Sequence, residues 1–314
     1  MGMNSINTNT AAMTALQSLQ QTSKSMLTTQ NRISTGLRVA TAEDNAAYWS
    51  IATTMRSDND ALSTVQDALG LGKSTVSIAY TAMNTAIDLV GQIKTKLTAA
   101  ATPGVDRSKI QSEIKELQNQ LKGVSDTASF SGENWLSVDS SNTGYNATKS
   151  IVSSFTRTSS GAVQVGNISI DTKNAVLFDS SASAAGILDA TRNSLGAIAS
   201  TGTSVYAMDI STLTDSATDL NTLKGYISGA DAAFQEMTKA ATGLGANQQR
   251  INLQSTFVSA LSDAITSGVS QLVDADMNQE STRLQALQVK QQLGVQALSI
   301  ANQSSQNILS LFRG

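Results

Sequence analysis

The sequence predicts a mainly α protein, in which long antiparallel coiled-coil helical arms run in from both chain ends, with a small β/loop insertion in the middle. Three observations carry this. Apolar residues recur in alternating steps of four and three over 51–97 and again over 223–272. The repeat vanishes from about Ser129 to Thr203, where Ser, Gly, Asn and Thr dominate. Both ends are nearly free of charge without being apolar enough to suit a membrane.

The 314 residues include no Cys, no His and one Pro, and only 14% are charged, against roughly 25% in an ordinary soluble domain. Without His or Cys there is no Ser-His-Asp triad, no thiolate nucleophile, no Cys/His zinc site and no disulfide. A net charge of −3 argues against nucleic acid as a partner, which requires a basic face. No cofactor and no catalytic residue is indicated.

From the N-terminus, Leu16, Leu19, Ser23, Met26, Gln30, Ile33 and Leu37 step by three and four, predicting an amphipathic helix. Asn4, Ser5, Asn7, Thr8, Asn9 and Thr10 interrupt any apolar core of the kind a cleaved signal peptide needs. The strongest pattern follows: Ile51, Met55, Asp58, Leu62, Val65, Leu69, Gly72, Val76, Ala79, Met83, Ala86, Val90, Ile93 and Leu97, broken only by Asp58 and Gly72. At about 1.5 Å per residue this is a coiled-coil helix on the order of 70 Å long. Pro103-Gly104 stops it, and Asp106 is placed to cap a second helix that carries Ile110, Ile114, Leu117, Leu121 and Val124 on one face. The pair predicts an antiparallel helical hairpin.

In the middle, Val163 and Val165, then Ile168 and Ile170, flank Gly166-Asn167, which predicts a β-hairpin turning there. Val176, Leu177 and Phe178 suggest another short strand. The second arm carries Leu223, Ile227, Ala230, Phe234, Met237, Ala241, Leu244, Gln248, Ile251, Ser255, Val258, Ser262, Ile265, Val269 and Leu272, its polar members weakening the distal half.

The last segment is apolar on two faces. Met277, Leu284, Leu287, Leu298, Ala301, Ile308 and Phe312 lie on one stripe, and Val289, Leu293, Ile300 and Leu311 on another, with no charge from Gln291 to Phe312. One partner helix cannot cover both faces. Either the ends are core helices of one bundle, or their second faces pack against other copies of the chain. With about one large apolar side chain per three or four residues, a single seam barely offsets the roughly 1–2 kcal/mol of backbone entropy per residue. The ends are therefore expected to order on assembly. The residues expected to pack between subunits are Leu16, Leu19, Met26, Ile33, Leu37, Leu284, Leu287, Leu298, Ile308, Leu311 and Phe312.

Asp274, Asp276 and Glu280 lack the glycine turn and ligand spacing of a calcium loop, so they are read as a helix start or hinge. Asn146-Ala147-Thr148 and Asn167-Ile168-Ser169 match the N-glycosylation pattern, a weak signal.

Several motifs at both ends carry a family resemblance. Ile6-Asn7-Thr8-Asn9, Arg32-Ile33-Ser34-Thr35-Gly36-Leu37-Arg38 and Ala42-Glu43-Asp44-Asn45-Ala46-Ala47 resemble the N-terminal block of bacterial flagellins. Leu244-Gly245-Ala246-Asn247-Gln248-Gln249-Arg250, Asp274-Ala275-Asp276, Ala301-Asn302-Gln303 and Gln306-Asn307-Ile308-Leu309-Ser310-Leu311 are similar to the C-terminal block. The motif positions are Arg32, Gly36, Arg38, Asp44, Asn45, Arg250, Asp274, Asp276 and Asn302.

The resemblance implies a structural subunit that polymerises into an extracellular filament for swimming. It further implies export through the flagellar type III apparatus without a cleaved signal peptide. Implied partners are further copies or other flagellins, hook-associated junction and cap proteins and an export chaperone, with no nucleic acid and no membrane insertion. The implied organisation is 1–42 plus 275–314 as inner filament core, 43–140 plus 203–274 as a long-helix bundle, and 141–202 as a variable outer region. A hook–filament junction protein, which has similar terminal helices, is the alternative. Two departures stand out. Tyr48 and Trp49 replace the small residue and leucine usual after the Ala-Ala pair. Glu113 matches a position used by the animal innate receptor, but no Arg lies between Arg56 and Arg107 to complete that contact.

Overall fold

The computed structural model describes residues 9–158, 160–181 and 185–311, the last eight of these by backbone alone. It forms two compact units, one drawn from residues 1–60 and 263–314 and the other from 61–262. Five long helices dominate: α1 (Thr10–Thr35), α2 (Ala46–Ala100), α3 (Arg107–Thr127), α4 (Ala217–Val273) and α5 (Met277–Leu311). The middle carries β1 (Ser129–Phe130), β2 (Glu133–Asn134), β3 (Ser137–Val138), β4 (Thr148–Arg157), β5 (Val163–Asp171) and β6 (Phe178–Asp179). The mainly α architecture with a small β/loop insertion is thus as the sequence predicts. α2 and α4 contribute to both units.

In the second unit the predicted heptad is the core. Leu62, Val65, Leu69, Gly72, Val76, Ala79, Met83, Ala86, Val90, Ile93 and Leu97 are all buried. The antiparallel register with α4 is marked by Tyr80 over Gly245 and Phe234 over Gly91, where the missing side chains make room for the rings. Lys94 pairs with Asp231 across the same seam. Ile51 is an exception at the start of the repeat: it is exposed, and Ala52 takes the inward place.

The hairpin between α2 and α3 forms around Pro103, with Asp106 accepting from the Ser108 and Lys109 amides at 3.2 and 3.4 Å. Arg107, buried, donates from Nε to the Ala100 carbonyl at 3.0 Å and from Nη2 to Asp215 at 2.6 Å. It thereby satisfies a carbonyl that the end of α2 leaves without an intrahelical partner. On α3, Ile114 and Leu121 are buried as expected, alongside Gln118, whose amide donates to the Val205 and Met208 carbonyls.

The β-hairpin differs from expectation. Gly166-Asn167 is not a turn but the middle of β5, which pairs along its length with β4; the turn falls near Gly161. The sequence signal was a change of phase: Val163 and Val165 face outward, whereas Ile168 and Ile170 are buried. Because alternate residues share a face, both sets cannot point the same way. Gly166 sits opposite the register shift between Val152 and Ser154, where a Cβ would lie 2.3 Å from Ser154 Oγ. An in-strand glycine marks a bulge here rather than a turn. Ile151 of β4 seats against Gly72, so this break in the α2 heptad is a socket for the ribbon.

β1 and β2 join through Ser131 and Gly132, both at positive φ, the geometry of a two-residue hairpin. The expected strand around Val176–Phe178 shrinks to Phe178–Asp179, paired parallel with Ser137–Val138.

Candidate assembly surface

The terminal unit is built around one junction, where α1 ends, α2 begins, α4 ends and α5 begins. Gly36 stops α1 in the left-handed conformation at φ +72°, its N–H donating to the Arg32 carbonyl at 2.9 Å. The chain then pairs with the end of α4: the Ala275 amide donates to the Gly36 carbonyl at 2.9 Å, and the Arg38 amide to Val273 at 2.7 Å. Arg38 also donates from its side chain to the Leu272 carbonyl at 2.9 Å, placing a cation at the negative end of α4. Asp44 closes the next turn by accepting from the Ala40 and Thr41 amides at 3.0 and 3.1 Å. The Thr41 amide first, then that of Ala40, holds the Asp44 carboxyl below its ordinary range. Asn45 caps α2 by accepting from the Ala47 and Tyr48 amides, and Asp276 caps α5 by accepting from Asn278 and Gln279.

Most motif residues therefore share one task. Arg32, Gly36, Arg38, Asp44, Asn45, Asp274 and Asp276 end, start or cross-link helices at this junction; Asp274 does so through a backbone bridge with Leu37. Beneath them lies an apolar cluster of Val39, Ala52, Val269 and Val273, flanked by Leu37, Met55, Ile265 and Leu272. Arg250 and Asn302 are exposed and stand apart from the junction residues. The Asp276 and Glu280 carboxylates have structural partners and Asp274 is held through its backbone, and no cation-binding trio of His, Cys, Asp or Glu occurs among the described residues.

Beyond the junction α1 and α5 run antiparallel. Asn9 donates to the Ala301 carbonyl at 3.0 Å at one end, and Arg32 Nη1 to Glu280 Oε1 at 3.1 Å at the other. Their mutual stripe on α1 is Ala12, Ala15, Leu19, Thr22, Met26, Thr29 and Ile33, and on α5 Glu280, Leu284, Leu287, Gln291, Gly294, Leu298 and Ala301. Thr22 and Thr29, rather than Ser23 and Gln30, hold the inward places. Leu19 nestles against Gly294, where a Cβ would be 3.2 Å from it.

The contents of this seam are unusual. The buried residues of α1 are Thr22 and Thr29, and among the described side chains of α5 the one buried residue is Glu280. No described apolar side chain of either helix is buried. Leu19, Met26, Ile33, Leu37, Leu284, Leu287 and Leu298 are half-covered, and Leu16 is exposed. Met13, Leu27, Val289, Leu293, Val295 and Ile300 point outward, Ile300 to 67%. Ala11, Thr14, Ala15, Ser18, Ala297 and Ala301 leave an open groove of about 700 Å³ beside Ile300. The side chains of Ile308, Leu311 and Phe312 lie outside the described residues. No described helix is long and apolar enough to cross a membrane.

Capped helices whose described large apolar side chains all remain at least partly open have the make-up of a helical structural subunit that packs against other chains. Comparison with known proteins supplies the family. The model of the bacterial flagellin N-terminal helical region matches residues 6–143, and that of the C-terminal helical region matches residues 227–312. Flagellin C of Rhizobium meliloti (strain 1021) is 50% identical over 323 aligned positions, covering 99% of this chain and all of that protein. Flagellin A of Rhizobium meliloti is 44% identical over 398, and a flagellin of Brucella melitensis biotype 1 is 45% identical over 313, with the same coverage. The chain belongs to the bacterial flagellins and is a structural subunit of the flagellar filament. Nothing in these comparisons favours a hook-associated junction protein.

Proposed function

We propose that the filament contacts are carried by α1 and α5, where Leu16 is exposed and Leu19, Met26, Ile33, Leu37, Leu284, Leu287 and Leu298 are left half-covered for a neighbouring copy to close over, with Ile308, Leu311 and Phe312 as further packing residues by their place in the sequence. The single observation behind this is the α1–α5 seam, which buries two threonines and a glutamate but no described apolar side chain. Each leucine-sized side chain that a neighbouring copy covers contributes roughly 1.5–3 kcal/mol. Assembly thus supplies what the single chain lacks. In this reading 1–42 plus 275–314 form the inner core, 43–140 plus 203–274 the surrounding bundle, and 141–202 the outer surface.

Family membership supports our reading of the remaining roles. The chain passes through the type III export apparatus with a chaperone and without signal cleavage, and it joins junction and cap proteins at the filament ends. It acts as a structural element and not as an enzyme. It is a weak activator of the animal innate receptor, because Glu113 is already paired with Lys96 and lacks the companion Arg.

Seeded polymerisation tests the central role. Purified monomer added to filament fragments elongates them into long filaments; short caps or no growth point to a junction protein instead.

A further inference from the structure

We propose that Tyr48 and Trp49 form a contact with a second copy of this chain, an inference that rests on the filament-subunit reading. The two are neighbours in the first turn of α2, exposed to 42% and 38%. Their own chain leaves more than a third of each open, and neither belongs to the apolar cluster below the junction. Asn45 caps the helix, and Ala52 with Met55 supplies its packing onto Val39, Val269 and Val273. Neither the Tyr48 hydroxyl nor the Trp49 indole N–H hydrogen-bonds another described residue. Glu43 and Arg56, both exposed, flank the patch with opposite charges. An aromatic centre with a charged rim is the make-up of a protein interface, in which Trp and Tyr contribute most of the binding energy.

The occupant is read from the same unit. The outward faces of α1 and α5 are apolar and charge-poor, with Leu16, Val289, Leu293 and Ile300 open. A filament presents such surfaces to every copy, so the chain itself supplies a matching surface. The two aromatic residues extend the assembly surface from the terminal helices onto the base of the long arm.

The test uses two conveniences of the sequence: two tryptophans in all, of which Trp135 is buried, and no cysteine. In a Trp135→Phe chain, Trp49 emission shifts to the blue when monomer converts to filament. In an otherwise unaltered chain carrying Trp49→Cys labelled with a benzophenone maleimide, irradiated filaments give covalent dimers and irradiated monomer gives none. Trp49→Ala raises the critical concentration for polymerisation about tenfold, with the helical content of the monomer unchanged. Filaments that form normally yet yield no dimers overturn the contact and leave the filament reading intact. A blue shift without dimers means that the ring is covered by its own chain, which also overturns it. Failure of the unaltered chain to elongate seeds contradicts both.

Discussion

Arg32 Nη1 donates to Glu280 Oε1 at 3.1 Å, tying the last turn of α1 to the first turn of α5. The carboxylate is buried, the guanidinium is a quarter exposed, and Arg32 Nε and Glu280 Oε2 lack further partners. The pair therefore uses one donor and a charge rather than a two-pronged fork. Arg32→Ala strands a buried carboxylate and destabilises the terminal unit by about 3 kcal/mol. Arg32→Lys retains most of the stability, since a single point charge suffices. The melting temperature of filaments assembled from each variant measures the difference.

Gly72 is the point at which the β4–β5 ribbon meets α2. A Cβ there would lie 2.5, 2.7 and 2.9 Å from three carbons of Ile151. Gly72→Ala is expected to destabilise by about 1–2 kcal/mol, overpacking outweighing the roughly 1 kcal/mol gain in helix propensity. Combining it with Ile151→Ala restores room, so the double variant is less destabilised than the sum of the singles. Urea denaturation of the four chains measures this.

Arg192, its side chain 1% exposed, pairs with Glu236 through Nη2 at 2.6 Å and Nη1 at 3.2 Å and donates to the Ile187 and Gly196 carbonyls. It fastens the loop between residues 187 and 203 to α4. Arg192→Met leaves those carbonyls without their donor and costs about 3 kcal/mol locally. Limited proteolysis should cut this loop faster in the variant, while circular dichroism shows unchanged helix.

Acid should loosen the protein through its paired and amide-bound aspartates. Asp215 is lowered by the Arg107 side chain and the Gly104 amide, Asp219 by Thr214, Asp231 by the Lys94 ammonium and Asp44 by the Thr41 and Ala40 amides. A lowered folded-state value means that the unfolded chain takes up protons first as pH falls. The stability these groups contribute is complete above the ordinary aspartate value of about 3.9 by more than a unit. It is lost as pH falls through their depressed values. Asp189 acts in the opposite sense, since burial raises it. Thermal melts from pH 7 to pH 2 should show a plateau above pH 5 and a steep decline below about 4. Asp215→Asn reduces the steepness of that decline.

How far these features were legible in the sequence depends on their range. The α2 seam from Leu62 to Leu97 could be read position by position, because helical period and burial coincide there. Asp106 and Pro103 marked the hairpin through local backbone chemistry alone. The phase change across Gly166 was visible, but a turn and a bulge both demand glycine, and only the partner strand distinguishes them. Gln118, Arg107 and Arg192 were invisible, since a buried polar side chain is set by distant carbonyls and not by spacing. At the junction the motif residues were recognised through resemblance; their capping tasks emerge only when four helix ends meet. On α1 Thr22 and Thr29 hold the inward places expected of Ser23 and Gln30, while Leu19, Met26 and Ile33 keep theirs, since steps of three and of four both fit the helical period.

Amide hydrogen exchange, compared between dilute monomer and filament, tests the central claim most directly. If α1 and α5 depend on other copies for their apolar cover, residues 10–35 and 277–311 exchange quickly in the monomer and become strongly protected in the filament, while 62–97 stay protected in both. Strong protection of both terminal helices already in the monomer, or none gained on assembly, would contradict the account.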